Sequence, residues 1–490
     1  MRDNGQILDH LFETNQIDLA RGALFDMPPG PMPRDLDFDR VEGMMLGLAI
    51  GDALGCTSEG QLPNSRRARY GEIRDYVPNR YAGNEPVGLP SDDTQLAFWT
   101  LEQMIEDRRF DPDRVAARFC RDQIFGIGST VRRFISNYKL GVIPWYECGI
   151  KSAGNGALMR IAPMVIPHLQ LGTADLWVDT ALSAMITHND SASTAACLSF
   201  VNMLWQLLTL DGPPEADWWL QTYVETAKDL EVNDKYRPRG GAFCDYQGTV
   251  WRFVEEILGE AYQRNLSTLD ACNSWYSGAY LLEAMPSVIY ILMQHGSDPE
   301  EAIVRAVNDT KDNDTIGAIV GAAVGALHGR RGFPSRWISR LSGRTTARDD
   351  GRIYELLEVS ERLWWHWSNG RALVEITRVF TEYFANWSIE LPEEAIATRN
   401  RGEIRKARWI VQYLFGREAS REYLDFYASH RMTNDRHVRI WEDGQVKSLE
   451  SYQEMLIYKS EKPEDKERAE HEYREHNQRV SEILKKKGFR

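Results

Sequence analysis

The chain has 490 residues, with 58 lysines and arginines against 72 aspartates and glutamates, a net charge of −14, and 43% hydrophobic and 27% charged residues. That balance suits a folded protein with a large core, excludes an intrinsically disordered chain, and argues against a nucleic-acid partner. Six dispersed cysteines (Cys56, Cys120, Cys148, Cys197, Cys244, Cys272) form no Cys-x-x-Cys pair, no apolar leader opens the chain, and no apolar run reaches the length of a membrane span; a soluble cytoplasmic protein without disulfides or a zinc site is expected.

Residues 1–38 are acidic and end in Pro28, Pro29, Pro31 and Pro33. They read as an N-terminal extension joined by a stiff linker. From Asp39 onward, apolar runs of helical period alternate with Gly, Pro, Asp and Asn, and the body from 39 to 369 is expected to be all-α. Two helical stretches carry glycine at every fourth position: Gly43, Gly47, Gly51 and Gly55, then Gly317, Gly321 and Gly325. That spacing aligns each set on one face and predicts a close helix crossing, despite a cost of about 1 kcal/mol per glycine. The Trp-, Gly- and Pro-rich stretch 209–250 reads as an insertion, a lid or contact surface. Residues 370–490 read as a smaller C-terminal α+β appendage, with a hairpin around Asp443-Gly444 and a charged tail. The tryptophans are expected to fill core and interfaces.

Two short clusters can carry chemistry. Ser91-Asp92-Asp93-Thr94 precedes an amphipathic run, and Asp312-Asn313-Asp314-Thr315 precedes the second glycine-striped helix. Taken alone each reads first as a helix N-cap, and each also suits a hard cation. If the two converge, at least four carboxylates meet, and their repulsion calls for cations, most simply two.

Together with Gly51-Asp-Ala-Leu-Gly55 and Glu59, Ile127-Gly-Ser-Thr130, Gly154-Asn-Gly-Ala-Leu-Met-Arg-Ile-Ala-Pro163 and Thr187-His188, these clusters resemble the ADP-ribosylglycohydrolases, over residues 39–345 and in that family's order. The resemblance implies an orthogonal helical bundle with two Mg²⁺ ions at the base of a cleft, and hydrolysis of the glycosidic bond that joins ADP-ribose to a side chain of a modified protein. It further implies that Ser91, Asp92, Asp93, Asp312, Asp314 and Thr315 hold the ions. Glu59, Asp92 or Asp93 would serve as the base. Gly128, Ser152, Gly154, Asn155, Gly156, Met159, Arg160, His188 and Tyr280 would contact ADP-ribose.

Three departures stand out: Thr310-Lys311 replaces the two glycines usual before the second Asp motif, Asn189-Asp190-Ser191 follows His188 without the usual proline, and Ser91 replaces a threonine. Arginine is the expected linkage, with a serine, nucleic-acid or small-molecule linkage as runner-up. A separate reading is a binding or immunity protein that neutralises an ADP-ribosyltransferase toxin, plugging it with residues 1–38 and erasing its marks.

Overall fold

The structure, a computed structural model, describes residues 4–365 apart from positions 31, 34 and 347–349. The expected C-terminal appendage, its hairpin and its charged tail lie outside the described residues. Within them the fold is all-α, and the β-type pairing consists of isolated bridges such as Ile150 with His188 and Gly154 with Tyr280. No helix among the described residues is long and apolar enough to cross a membrane, and all six cysteines are free thiols.

The expected crossing forms the centre of the molecule. The Asp39–Gly55 and Asn313–His328 helices, buried along nearly their whole length, meet backbone to backbone, Gly43 against Gly325, Gly47 against Gly321 and Gly51 against Gly317. A methyl group on Gly317 would sit 2.9 Å from the Gly51 carbonyl oxygen, and one on Gly47 would sit 2.7 Å from the Gly321 carbonyl carbon. Both distances are inside van der Waals contact, so only glycine fits. The Asp92–Asp107, Ser191–Leu207, Leu281–His295 and Pro299–Asp309 helices pack against this pair. Trp99, Trp177, Trp205, Trp219, Trp275 and Trp337 fill the interior, as expected of them.

The N-terminal extension packs on the body: its Asn4–Glu13 helix lies on the Asp175–Thr187 helix with Leu8 and Leu11 buried. Asn4 Nδ2 donates to Asp179 Oδ1 at 2.7 Å, Trp177 Nε1 donates to the Met27 carbonyl at 2.7 Å, and Phe25 is buried. Burial of its apolar side chains holds the segment to the body, which removes the premise of a toxin-plugging arm. The 209–250 stretch is also built in. Its Ala216–Ala227 helix buries Trp219 and Tyr223, and Tyr236 donates to Asp190 Oδ1 at 2.8 Å.

Candidate active site

Two helix starts and one helix end meet at one end of the glycine crossing. A methyl group on Gly55 would lie 2.6 Å from the Asn313 carbonyl oxygen, so the Cys56–Ser58 turn that follows is held against the start of the Asn313–His328 helix. The buried Asn313 amide ties this junction, donating to the Gly55 carbonyl at 3.2 Å, Ser58 Oγ at 3.0 Å and the Val307 carbonyl at 3.2 Å. Buried Arg66 ties the next segment, donating to the carbonyls of Val307 at 2.8 Å, Thr310 at 2.7 Å and Gln61 at 2.9 Å. As a result, one carboxylate oxygen from each of Glu59, Asp312 and Asp314 lies within 4.8 Å of the others.

The other helix start hangs on Asp52. This buried carboxylate accepts from Ser91 N at 2.9 Å, Ser91 Oγ at 2.8 Å, Thr94 N at 3.1 Å and Thr94 Oγ1 at 2.6 Å. Four other helices begin on side-chain caps, Asp111, Asp190, Ser267 and Asp298 each accepting an N–H two or three residues on. Ser91 and Asp312 occupy the same position at their helices and form no such bond. The capping reading fails at both motifs, and Ser91 turns to Asp52 while Asp312 Oδ2 accepts from Asn155 Nδ2 at 2.6 Å.

Asp93 joins the two halves electrostatically. It is 1% exposed, its Oδ1 has no hydrogen-bond partner, and burial followed by the charges of Asp52, Asp314, Asp92 and Asp312 pushes its pKa well up. Asp314 is pushed the same way by burial and then by Glu59, Asp312 and Asp52. Asp92 rises to about 7 through burial and Asp52, and Glu59, at the exposed rim, rises to about 7 through partial desolvation and then Asp312 and Asp52. Asp312 rises to about 6, burial outweighing the Asn155 bond and the nearby Arg239 charge. A cluster of oxygens that holds protons this tightly, with one buried oxygen left unpartnered, has the donor chemistry for a hard divalent cation. Thr315 N donates to Asp314 Oδ1 at 2.9 Å, fixing that carboxylate at the helix start.

The wall beside Asp312 is made of the 150–160 loop. Ile150 N donates to the Thr187 carbonyl at 3.0 Å, Asn155 N to the Ala279 carbonyl at 3.2 Å and Leu281 N to the Ala153 carbonyl at 2.9 Å, which sets Gly154 and Asn155 against Tyr280. His188 is buried beneath the loop: methyl groups on Gly154 and Gly156 would lie 3.4 and 3.2 Å from its Nε2. Burial and then the Arg160 charge push its pKa down to about 3, so the ring is neutral and hydrogen-bonds Thr187 Oγ1 through Nδ1 at 2.9 Å. Gly128 N–H meets Asp92, and Ser152 Oγ lies 3.3 Å from Thr130 Oγ1. Arg239 forms an ion pair with buried Glu283 at 2.7 Å and stands 5.1 Å from the Tyr280 ring. Lys311 is taken by the Tyr276 hydroxyl, and its backbone N–H donates to the Ser277 carbonyl at 3.2 Å.

Arg160 faces the core rather than the open side of the loop. It is fully buried, donating to the Ser183 carbonyl and Thr187 Oγ1, each at 2.9 Å, with its guanidinium 5.0 Å from the Phe119 ring. Met159 is likewise 4% exposed. Both support the wall from behind, because the short helical turn Leu158–Arg160 points them into the core. The sequence reading missed Asp52, Asn313 and Arg66. For Asp52 a polar side chain amid an apolar run was the available signal, since burial demands a partner; Arg66 and Asn313 sit among polar neighbours and carried no such signal.

Comparison with known proteins places the chain in a family. The ADP-ribosylglycohydrolase family model matches residues 33–366. The ADP-ribosyl-[dinitrogen reductase] glycohydrolase of Rhodospirillum rubrum is 28% identical over 309 residues, 62% of this chain and 90% of the relative. The ADP-ribosylarginine hydrolase Tri1 of Pseudomonas putida is 25% identical over 318 residues, 62% and 74% of the two chains. A solved ADP-ribosylglycohydrolase-related protein complex matches with a TM-score of 0.50 and 26% identity, covering 66% of this chain and 97% of that one. With the family's match spanning both Asp motifs, the glycine crossing and the Gly154 loop, the chain belongs to the ADP-ribosylglycohydrolases.

Proposed function

We propose that this protein removes ADP-ribose from arginine side chains of modified proteins, using two Mg²⁺ ions. The observation that carries the proposal is the meeting of Glu59, Asp312 and Asp314, with Asp93 electrostatically tied to them, where ordinary helix caps were the alternative. Arginine is favoured by the name of the P. putida relative, an ADP-ribosylarginine hydrolase. Ser91, Asp92 and Asp93 would hold one ion and Asp312, Asp314 and Thr315 the other. Bound cations would supply the positive charge that fixes ribose hydroxyls and offsets the carboxylates.

The chain's own groups perform the rest. Gly154, Asn155 and Gly156 present a narrow loop to the diphosphate and ribose, with neutral His188 beneath it and Tyr280 beside it. Glu59, at the exposed rim and near neutral in pKa, takes the proton from the water that attacks the anomeric carbon. Asp92 and Asp93 are committed to the interior of the cluster, which leaves Glu59 as the carboxylate facing incoming water. The substituted guanidinium carries its proton already, so cleavage of the C–N bond releases neutral guanidine, which then takes up the proton that Glu59 removed from water.

The test is release of free ADP-ribose from an arginine-ADP-ribosylated protein in Mg²⁺ or in EDTA, with the natural chain and Asp314→Ala. Metal-dependent release that is lost in Asp314→Ala is the expected result. No release, with calorimetric binding of ADP-ribose intact, overturns the arginine linkage.

A further inference from the structure

Beyond Glu59, away from the Gly154 wall, lies a cleft of about 560 Å³ that reaches Ser91 and Gly126. Its lining runs from Glu59, at the rim of the carboxylate cluster, to Arg69 and Arg80. Three guanidinium groups in its lining each stand over an aromatic ring: Arg69 over Tyr70 at 5.0 Å, Arg80 over Tyr81 at 4.6 Å and Arg344 over Phe125 at 3.9 Å. A guanidinium stacked this way is held extended with N–H donors in its plane, the arrangement that suits a carboxylate; Arg80 spends one of its five donors on the Tyr81 hydroxyl at 2.6 Å and Arg344 one on the Pro90 carbonyl at 3.4 Å. Arg69 and Arg80 are exposed, and among the described residues neither is in an ion pair with a carboxylate. Among the described residues Glu59 is the one carboxylate in the lining, in a chain whose net charge is −14. Tyr81 stands at the mouth with 71% of its surface exposed.

We propose that this cleft binds an acidic stretch of the modified protein, the residues flanking the ADP-ribosylated side chain, and so selects among modified sites. The inference rests on the hydrolase reading above. Enclosure within about 560 Å³ suits a few amino-acid residues. A nucleic-acid strand, which needs a long basic track on the protein, fits less well with the acidic remainder of the chain.

The test compares turnover of three substrates carrying ADP-ribose: a peptide with Asp and Glu around the modified arginine, the same peptide with Ser and Gly there, and a modified oligonucleotide. The natural chain is expected to show at least a tenfold higher kcat/KM for the acidic peptide than for the neutral one, and an Arg69→Gln/Arg80→Gln variant should bring the ratio to within twofold of unity. Both arginines are exposed, so folding is checked simply by the thermal transition. A ratio near unity in the natural chain, or one that survives the double substitution, overturns the assignment while leaving the hydrolase reading intact. Preference for the oligonucleotide overturns it in favour of a nucleic-acid occupant. If no substrate is turned over, the hydrolase reading fails separately, and fluorescence anisotropy of the labelled acidic peptide decides the cleft: equal affinity for both proteins overturns it, and at least tenfold weaker binding by the variant supports it.

Discussion

Asp52→Asn separates support of the site from direct contact with a cation. In the native protein Oδ2 accepts both Thr94 N at 3.1 Å and Thr94 Oγ1 at 2.6 Å, while Oδ1 accepts Ser91 Oγ at 2.8 Å; Ser91 N is 2.9 Å from each oxygen. An amide has a single accepting oxygen. Turned toward Thr94, it keeps that pair and sets its NH₂ against Ser91 N–H, donor facing donor. Loss of a hydrogen bond to a charged group costs about 1.5–3 kcal/mol. Against this stands the removal of a buried charge that raises the proton affinity of Asp92, Asp93, Asp314 and Glu59. Without cations these effects oppose one another, so the variant in EDTA should melt close to the natural protein. With Mg²⁺ they act together: the Ser91–Asp93 segment is held less firmly, and the field that attracts a cation is weaker. Losing a carboxylate behind a ligand typically lowers metal affinity by about 10–100-fold, or roughly 1.4–2.7 kcal/mol. Calorimetric titration with Mg²⁺ and thermal melts with and without it read both quantities. Binding within threefold of the natural protein would refute the role assigned to Asp52.

Gly47→Ala places a methyl group into the Gly321 backbone and should cost about 3 kcal/mol or more in urea unfolding. Gly259→Ala, in the Val250–Gln263 helix with nothing within 4 Å, should stabilise by about 0.5–1 kcal/mol; similar values for both would refute the packing argument. In EDTA, stability should fall as pH rises from about 4 to about 7, because Glu59, Asp92 and Asp312 keep their protons in the native state to pH values at which the unfolded chain has lost them. Saturating Mg²⁺ should flatten that slope, since cations replace the protons; a Tm that rises with pH in EDTA would contradict the clustering. Arg160→Ala should cost roughly 3 kcal/mol by removing the partner of Ser183 and Thr187. Unchanged stability with ADP-ribose binding abolished would return Arg160 to the ligand side.

The glycine crossing was legible because its information is local: a residue type without a side chain, repeated at the period of one helix face. The family motifs were legible for a similar reason, each being a short run. What stayed hidden depends on pairing across the fold. Ser91 and Asp312 have the residue types of both a cap and a cation ligand, and only the backbone geometry showed that neither caps its helix. Arg160 lies inside a motif that suggested a ligand, yet the turn that carries it faces the core. The prolines before Asp39 suggested a linker, and they outweighed Leu8, Leu11 and Phe25, whose apolar surfaces had to be covered by something.

The glycine stripe ends where the carboxylates begin. Along the crossing, Gly43, Gly47 and Gly51 meet glycines of the second helix, but Gly55 meets Asn313 and Asp314, the first residues there with polar side chains. Three rungs of backbone contact therefore set the separation at the fourth, and the Asn313 amide locks it. The carboxylates cannot relax apart by a shift of one helix along the other, because any shift drives a glycine Cα into an opposing carbonyl. For the buried carboxylates Asp93 and Asp314, protons or cations offset the repulsion. A core feature with no polar atoms beyond its backbone thus creates the demand for charge that the site makes on its surroundings, and a substitution deep in the stripe should alter cation binding as well as stability.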